Sequence, residues 1–417
     1  MNDSSSIGNS RKLDWRAFGP GILMASAAIG GSHLVSSTQA GALYGWQLAI
    51  MIVLANLFKY PFYRFGTEYA YSTGDSLIIG YAKKSPIYLW VFFILCVISG
   101  VISTGAVALL CAVILGYMLP FEINTLALSA VVMTLSWVML IAGHYKLLDN
   151  LTKWIIMALT IATVMAVIVA GSKPSVIAPD FIEASPWNLA TLGFIIALMG
   201  WMPAPMEFSV LTSVWTAKKI HTDHTSRFQG LVDFNVGYLT SAILALFFLA
   251  LGVFVQYGSA EEIIMQGGAY VGQLIQMYTQ TIGEWSRLFV TFIAFLCMFG
   301  TVITCMDGYG RANAESQSLI KTGNTQLTEK YVKLWTTFTG VAAYILITFF
   351  LGQMATLLKF AMISSFVTAP IFAYLNYSLI KSAGQLTPFM KWFAIVSIVF
   401  LSGFAVLFLL QFFKFIG

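Results

Sequence analysis

Long apolar segments occupy more than half of this 417-residue chain and limit what it can fold into. A helix that spans a membrane needs about 20 mostly apolar residues. Only 9% of the residues are charged, whereas soluble domains carry roughly 25%. The pattern predicts an all-α integral membrane protein with eleven transmembrane helices. The eleven candidate segments are Phe18–Gln39, Leu48–Phe65, Ile87–Leu119, Leu126–Ala142, Trp154–Ala170, Leu189–Leu211, Leu231–Val255, Leu288–Met306, Leu334–Leu351, Met354–Ile380 and Phe393–Phe413.

The lysines and arginines are distributed unevenly between the loops that join these segments. One alternating set of loops, together with the residues before the first segment, carries Arg11, Lys12, Arg16, Lys83, Lys84, Lys146, Lys153, Lys218, Lys219, Arg227, Arg311, Lys321, Lys330, Lys333, Lys381 and Lys391. The opposite set holds Lys173 and Arg287, with Lys414 at the far end. Because cytoplasmic loops are enriched in Lys and Arg, we expect a cytoplasmic N-terminus, an outside C-terminus and a plasma (inner) membrane location.

The same composition limits the partners and cofactors. The basic loops are short and follow the topology, so we expect the lipid bilayer and a small transported ion or solute as partners, and no nucleic acid. The four cysteines fall within spans without a Cys-x-x-Cys pair, which favours small hydrophobic side chains at helix contacts. We expect a monomer without a cofactor. No P-loop, His-Glu-x-x-His or Gly-x-Ser-x-Gly pattern occurs, which argues against an enzyme.

Two of the eleven segments contain residues that oppose helix near their middle. Ile-Gly-Gly-Ser-His at 29–33 interrupts the first segment, and Gly-Trp-Met-Pro-Ala-Pro at 200–205 interrupts the sixth. Unwound backbone at membrane depth is tolerated only where protein or a watery cavity satisfies it. Breaks in the first and sixth of ten core spans are expected of two inverted five-helix repeats, with the substrate site where the broken helices meet. The predicted units are a cytoplasmic segment at 1–17, repeats at 18–171 and 187–381, and an eleventh helix at 388–417.

The residues around these breaks resemble the Nramp family of divalent-metal transporters. The likeness covers the first and sixth helices well, and the other helices mostly by span count. It implies the LeuT-type fold, a 5+5 inverted repeat with discontinuous helices 1 and 6 that works by alternating access. The matching stretches are Gly-Pro-Gly-Ile-Leu-Met-Ala at 19–25, Gln-Ala-Gly at 39–41, Leu-Ala-Asn at 54–56, Thr-Gly-Asp-Ser-Leu at 73–77 and Met-Pro at 202–203.

The chain departs from that family at the metal-binding positions. The family's first-helix Asp-Pro-Gly-Asn is Gly-Gly-Ser-His at 30–33, and the histidine of its sixth-helix Met-Pro-His is Ala204. Family members that couple to protons have acidic residues in the third helix and an arginine in the ninth. The third and ninth spans here contain no charged residue. We therefore expect a relative with a rebuilt site and without Nramp-style proton coupling, for which the Nramp-related magnesium transporters are a precedent.

The breaks and the resemblance together predict the site. Its candidate substrate-binding residues are Gly30, Gly31, Ser32, His33, Met199, Met202, Ala204, Glu207 and Thr368. His33 and Met202 are the candidate metal ligands, because imidazole and thioether suit Fe²⁺ or Mn²⁺ better than Mg²⁺. Glu207 is a candidate for substrate binding or coupling, since a carboxylate inside a span is costly; a structural salt bridge is the alternative. The predicted substrate is a divalent metal cation of the Fe/Mn type.

Further charged residues lie near the cytoplasmic ends of the spans or inside them. Glu68, Asp233 and Asp307 are candidates for a network that gates alternating access, with ordinary helix-end ion pairs as the alternative. Lys59 and Lys359 lie within apolar segments, where long basic side chains can snorkel to the interface.

The missing first-helix carboxylate supports a second class of substrate. Residues 30–32 expose backbone N–H groups at a half-helix terminus, and such a terminus binds anionic groups. A small organic acid or an amino-acid-like zwitterion is therefore the alternative substrate. A receptor or structural membrane protein without transport is a third class.

Overall fold

A computed structural model describes residues 18–143, 145–174, 177–259, 261–264, 269–323, 325, 328–384 and 386–416. The predicted cytoplasmic segment at 1–17 lies outside these residues. A π-helix at Ser32–Ser37 precedes α2, and a 3₁₀ turn at Gly45–Leu48 precedes α3. The α-helices are α1 (Pro20–Ala28), α2 (Thr38–Tyr44), α3 (Ala49–Thr73), α4 (Leu77–Lys84), α5 (Pro86–Met118), α6 (Thr125–Ile141), α7 (Tyr145–Gly171), α8 (Leu189–Gly200), α9 (Phe208–Asp223), α10 (Arg227–Val255), α11 (Ala269–Ile282), α12 (Ser286–Thr322), α13 (Glu329–Phe349), α14 (Met354–Ser382) and α15 (Pro388–Phe412).

The helices have the length and surface of a multi-pass membrane protein. In the described part of the chain, eight helical stretches are long and apolar enough to cross a membrane, and α6 and α8 are shorter apolar helices. Large apolar side chains cover the outside of the bundle; Ile87 is 71% exposed and Phe389 75% exposed. Each of the eleven predicted spans overlaps a helix, while the number eleven itself stays a prediction.

The helix boundaries differ from the prediction at three places. Helices α4 and α11 connect longer helices and are too short to show the apolar length of a span. Gly74, at a φ of 75°, ends α3, and the Ser76 side chain caps α4 by accepting from Ile79 N. Helix α12 continues 16 residues beyond Met306, so Asp307 lies inside a continuous helix rather than at its end.

Helix α10 packs closely against both halves of the broken first helix. A Cβ added at Gly237 would lie 2.1 Å from Gly21 O in α1, and one at Gly252 would lie 2.1 Å from Thr38 O in α2. Small residues allow backbones to approach this closely in membrane bundles. Helix α10 therefore holds α1 and α2 on either side of the first break.

Candidate functional site

The first break separates α1 from the π-helix at residues 29–31. Ile29 leaves the helical conformation with a φ of −76° and a ψ of 79°. Helix α12 supplies donors to the carbonyls around the break: Thr301 Oγ1 donates to Ser26 O at 3.0 Å, and Cys297 Sγ donates to Ile29 O at 2.9 Å. The break is thus satisfied from the side of α12 by short polar side chains.

His33 is 0% exposed and hydrogen-bonded at both ring nitrogens. Its Nε2 lies 2.9 Å from Ser241 O in α10, and its Nδ1 lies 3.0 Å from Ser32 Oγ. A carbonyl accepts only, so the neutral ring carries its proton on Nε2, and Nδ1 accepts from the Ser32 hydroxyl. The ring also meets Phe248 edge-on, with the ring centroids 6.2 Å apart. In this arrangement the lone pair that would bind a metal is already engaged.

The second break joins α8 to α9 and is satisfied from α3. Lys59 Nζ donates to Met199 O at 2.8 Å, to Gly200 O at 2.7 Å and to Ala204 O at 3.2 Å. Tyr63 OH donates to Pro205 O. Lys59 is 0% exposed, so the expectation that it snorkels to the interface is wrong. The freed carbonyls hold its ammonium inside the bundle, because in the membrane interior each of them needs a donor.

Glu207 is buried where α9 begins. Its Oε1 accepts from Tyr309 OH of α12 at 2.9 Å, and its Oε2 has no hydrogen-bond partner among the described residues. The Lys59 ammonium attracts this carboxylate through space, without a direct ion pair in the part of the chain that the structure describes. A carboxylate at a helix N-terminus also interacts favourably with the helix dipole.

Trp201 brings the two breaks together. A Cβ added at Gly31 would lie 3.4 Å from Trp201 Cζ3 and 3.0 Å from Leu358 Cδ1. The indole Nε1 of Trp201 donates to Ser365 Oγ in α14 at 2.9 Å. The first break, the second break and α14 therefore meet at the Trp201 ring, which marks the junction of the two broken helices. The sequence analysis did not predict a role for Trp201 or Ser365. The only sequence signal was that Trp201, whose indole carries an N–H donor, lies within the break at residues 200–205.

The remaining predicted residues lie around this junction. Met202 is buried and joined to Pro203 by a cis peptide bond. Met199 and Ala204 contribute through their carbonyls to Lys59. Thr368 lies one turn beyond Ser365, and its hydroxyl donates to Ser364 O and Ser365 O of its own helix. Ser365, rather than Thr368, contacts the second break through the Trp201 side chain.

A cavity of about 90 Å³ lies beside the junction, between α2, α8, α11 and α14. Ser36, Gln39 and Tyr270 are among its polar lining residues, and the exposed Lys359 also lines it. Ligand pockets for drug-sized molecules measure about 300–1,000 Å³. This cavity is therefore smaller than a typical pocket for a drug-sized ligand.

The three gate candidates each join two helices. Asp233 of α10 caps α1, accepting from Gly19 N at 3.1 Å and Gly21 N at 2.7 Å. Glu68 accepts from Arg64 and from Arg227 of α10. Asp307 accepts from Arg311 and from Trp215 of α9; the side-chain oxygens lie 2.8 Å and 3.2 Å from these donors. Asp233 is the one that holds a half of the broken first helix.

Metal ligands do not cluster in the described residues. No group of three His, Cys, Asp or Glu side chains that could hold a metal ion occurs there. His33 and Met202 are both buried near the breaks, but the imidazole faces α10 through Ser241. The polar groups at the junction are mainly hydroxyls, an indole, main-chain groups and one ammonium.

Comparison with known proteins identifies a relative and a fold. No protein-family model matches the chain. It is 51% identical over 399 residues to "Uncharacterized protein PM0681" of Pasteurella multocida (strain Pm70), covering 95% of this chain and 92% of that protein.

Three solved structures share the architecture. A variant of the Eremococcus coleocola manganese transporter superposes with a TM-score of 0.69 at 14% identity, covering 99% of this chain and 90% of that one. MhsT in complex with L-phenylalanine has a TM-score of 0.60 at 12% identity, covering 94% and 97%. Mhp1, a nucleobase-cation-symport-1 family transporter, has a TM-score of 0.60 at 12% identity, covering 95% and 92%. The predicted LeuT-type fold is confirmed; its likeness to the Nramp-like transporter is structural.

Proposed function

This chain belongs to the family of the Pasteurella multocida protein PM0681, and from that premise and its fold we propose that it is a secondary transporter working by alternating access. The proposed substrate is a small organic acid or an amino-acid-like zwitterion, held where the two broken helices meet. MhsT, which has the same fold, was solved as a complex with L-phenylalanine. The chain is proposed to act without enzymatic chemistry and without a cofactor.

The single observation that carries this proposal is the occupation of the main-chain oxygens at the break between α8 and α9. The Lys59 ammonium lies on the carbonyls of Met199, Gly200 and Ala204, which are main-chain groups that could otherwise face a cation. A substrate cation would have to displace this ammonium before it could use these oxygens as ligands. A carboxylate does not need them, because it is recognised by hydrogen-bond donors rather than acceptors.

The first break supports the same substrate class. Its half-helix begins with His33 N and Leu34 N already bonded to Gly30 O, so the N–H groups of Gly31 and Ser32 are the ones directed into the break. A helix N-terminus attracts anionic groups through these N–H groups and the helix dipole. A carboxylate placed there would face the positive N-terminal end of this half-helix.

A divalent metal of the Fe/Mn type is the second candidate substrate. The buried thioether of Met202 in the second break favours a metal substrate. The similarity of the fold to a protein named as a manganese transporter favours it as well. To bind metal, His33 would have to give up its hydrogen bond to Ser32 or to Ser241.

Uptake into proteoliposomes separates the two candidates. We expect wild-type protein to accumulate a member of a panel of small organic acids and amino acids, and Met202→Ala to retain that uptake within about threefold. If the substrate is instead a transition metal, His33→Ala and Met202→Ala should each weaken metal uptake tenfold or more, about 1.4 kcal/mol. Met165→Ala, at an exposed position on α7, is the matched control. Uptake of Mn²⁺ or Fe²⁺ without uptake of any carboxylate would contradict the proposal.

The topology can be tested independently of the substrate. We propose eleven spans in the plasma (inner) membrane, with the N-terminus in the cytoplasm and the C-terminus outside. The four native cysteines are buried, so they leave a low background for labelling. In intact cells an impermeant thiol reagent should label Gly417→Cys and spare Ser5→Cys. The reverse labelling pattern would contradict the topology.

A further inference from the structure

The environment of Lys59 Nζ is that of a bound cation. Three main-chain oxygens lie 2.7–3.2 Å from this one atom, and all three belong to the break between α8 and α9. In transporters with broken helices, unwound carbonyls and half-helix C-terminal ends are the groups that coordinate a coupling ion. Met199 and Gly200 form the C-terminal end of α8. The partial negative charge at this end of the helix dipole therefore lies next to the ammonium.

The countercharge for this ammonium is also built in. Glu207, at the other end of the break, is buried with one oxygen on Tyr309 and the other without a partner among the described residues. Lys59 and Glu207 attract each other through space. A second cation entering the break would compete for carbonyls that are already occupied, and it would meet a pair of charges that is already balanced.

We propose that Lys59 is a covalently attached substitute for a coupling cation. Its ammonium joins the C-terminal end of α8 to Ala204 in the break as a bound alkali ion would, and transport runs without Na⁺ or another alkali ion. This inference rests on the proposed transporter function. A lysine that merely fills space would behave differently in one respect: its loss would not create a binding site for a free cation.

The test compares Lys59→Ala, Lys59→Met and wild type. Lys59→Ala removes a propylammonium-sized piece and leaves the carbonyls open, whereas Lys59→Met fills most of the volume without a donor. Lys391→Ala is the matched control, because Lys391 also lies in an apolar helix, α15, but is exposed and away from the site. Each protein is assayed for solute uptake in Na⁺ medium and in medium with N-methylglucamine, and for its melting temperature in detergent with NaCl, propylammonium chloride or N-methylglucamine chloride.

We expect wild-type and Lys391→Ala uptake to agree within twofold in the two media. Lys59→Ala should lose uptake tenfold or more, and Na⁺ or propylammonium should restore it at least threefold or raise the melting temperature of this variant alone. Lys59→Met should be inactive and show neither effect. Wild-type uptake that requires Na⁺, full activity of Lys59→Met, or no response of Lys59→Ala to either cation in both assays would overturn the inference. If no solute is transported at all, the transporter proposal fails, while the melting assay still decides on the cation site.

Discussion

The substitution Gly200→Ala is expected to remove most of the folded protein from the membrane. A Cβ at this position would lie 1.9 Å from Met362 O, a backbone atom of α14 that cannot rotate away. Helices α8 and α14 would have to separate, although Gly200 O must also stay on the Lys59 ammonium. Overpacking costs about 1–3 kcal/mol and occasionally more. Because the obstacle is main chain on both sides, we expect a cost of about 3 kcal/mol or more.

Fluorescence-detected size-exclusion chromatography and thermal unfolding in detergent measure this effect. Gly403→Ala in α15 is the matched control, since a Cβ there meets nothing within 4 Å. We expect Gly403→Ala to match wild type in yield and melting temperature, and Gly200→Ala to lose the monodisperse peak or to melt much earlier. Equal melting temperatures for the two variants would contradict a close backbone contact between α8 and α14.

The substitution Asp233→Ala is expected to release α1 from α10 and to favour a state open on the side of Asp233. The carboxylate accepts from Gly19 N and Gly21 N, two donors at the start of α1. Hydrogen bonds to charged groups are worth about 1.5–3 kcal/mol each. A loss of about 3 kcal/mol from the closed state changes the ratio of the two states roughly 100-fold. Asp233→Asn keeps one acceptor oxygen and should have an intermediate effect.

Thiol labelling reports this change. The reporter is Ala27→Cys, at a buried position of α1 in a protein whose native cysteines are also buried. We expect labelling in inside-out vesicles to be about 100-fold faster with Asp233→Ala. The control is Glu284→Ala, whose exposed pair with Arg287 has a separation of 2.8 Å and a small expected contribution. Equal labelling rates with both substitutions would mean that Asp233 does not hold the gate.

The membrane class, the helix positions and the location of the two breaks follow from the sequence alone. Apolar length and the scarcity of charge are properties of each segment by itself, and they decide whether that segment can cross the membrane as a helix. The glycines at 30–31 and the prolines at 203 and 205 disrupt helix wherever they occur in a span. The structure accordingly breaks the first and sixth spans at these residues. The LeuT-type fold was expected from the resemblance of the residues around these breaks to a known transporter family, and the structure confirms it.

Only the tertiary structure decided which groups satisfy the two breaks. Lys59 is 140 residues from Met199 in the sequence, and His33 is 208 residues from Ser241. The hydrophobic periodicity of the segments that contain Lys59 and His33 does not indicate these contacts. The sequence assigned Lys59 to the interface and left His33 available to a metal, because a side chain's environment depends on helices that meet only after the bundle packs. Buried polar groups are stable only with partners, and those partners lie on other helices.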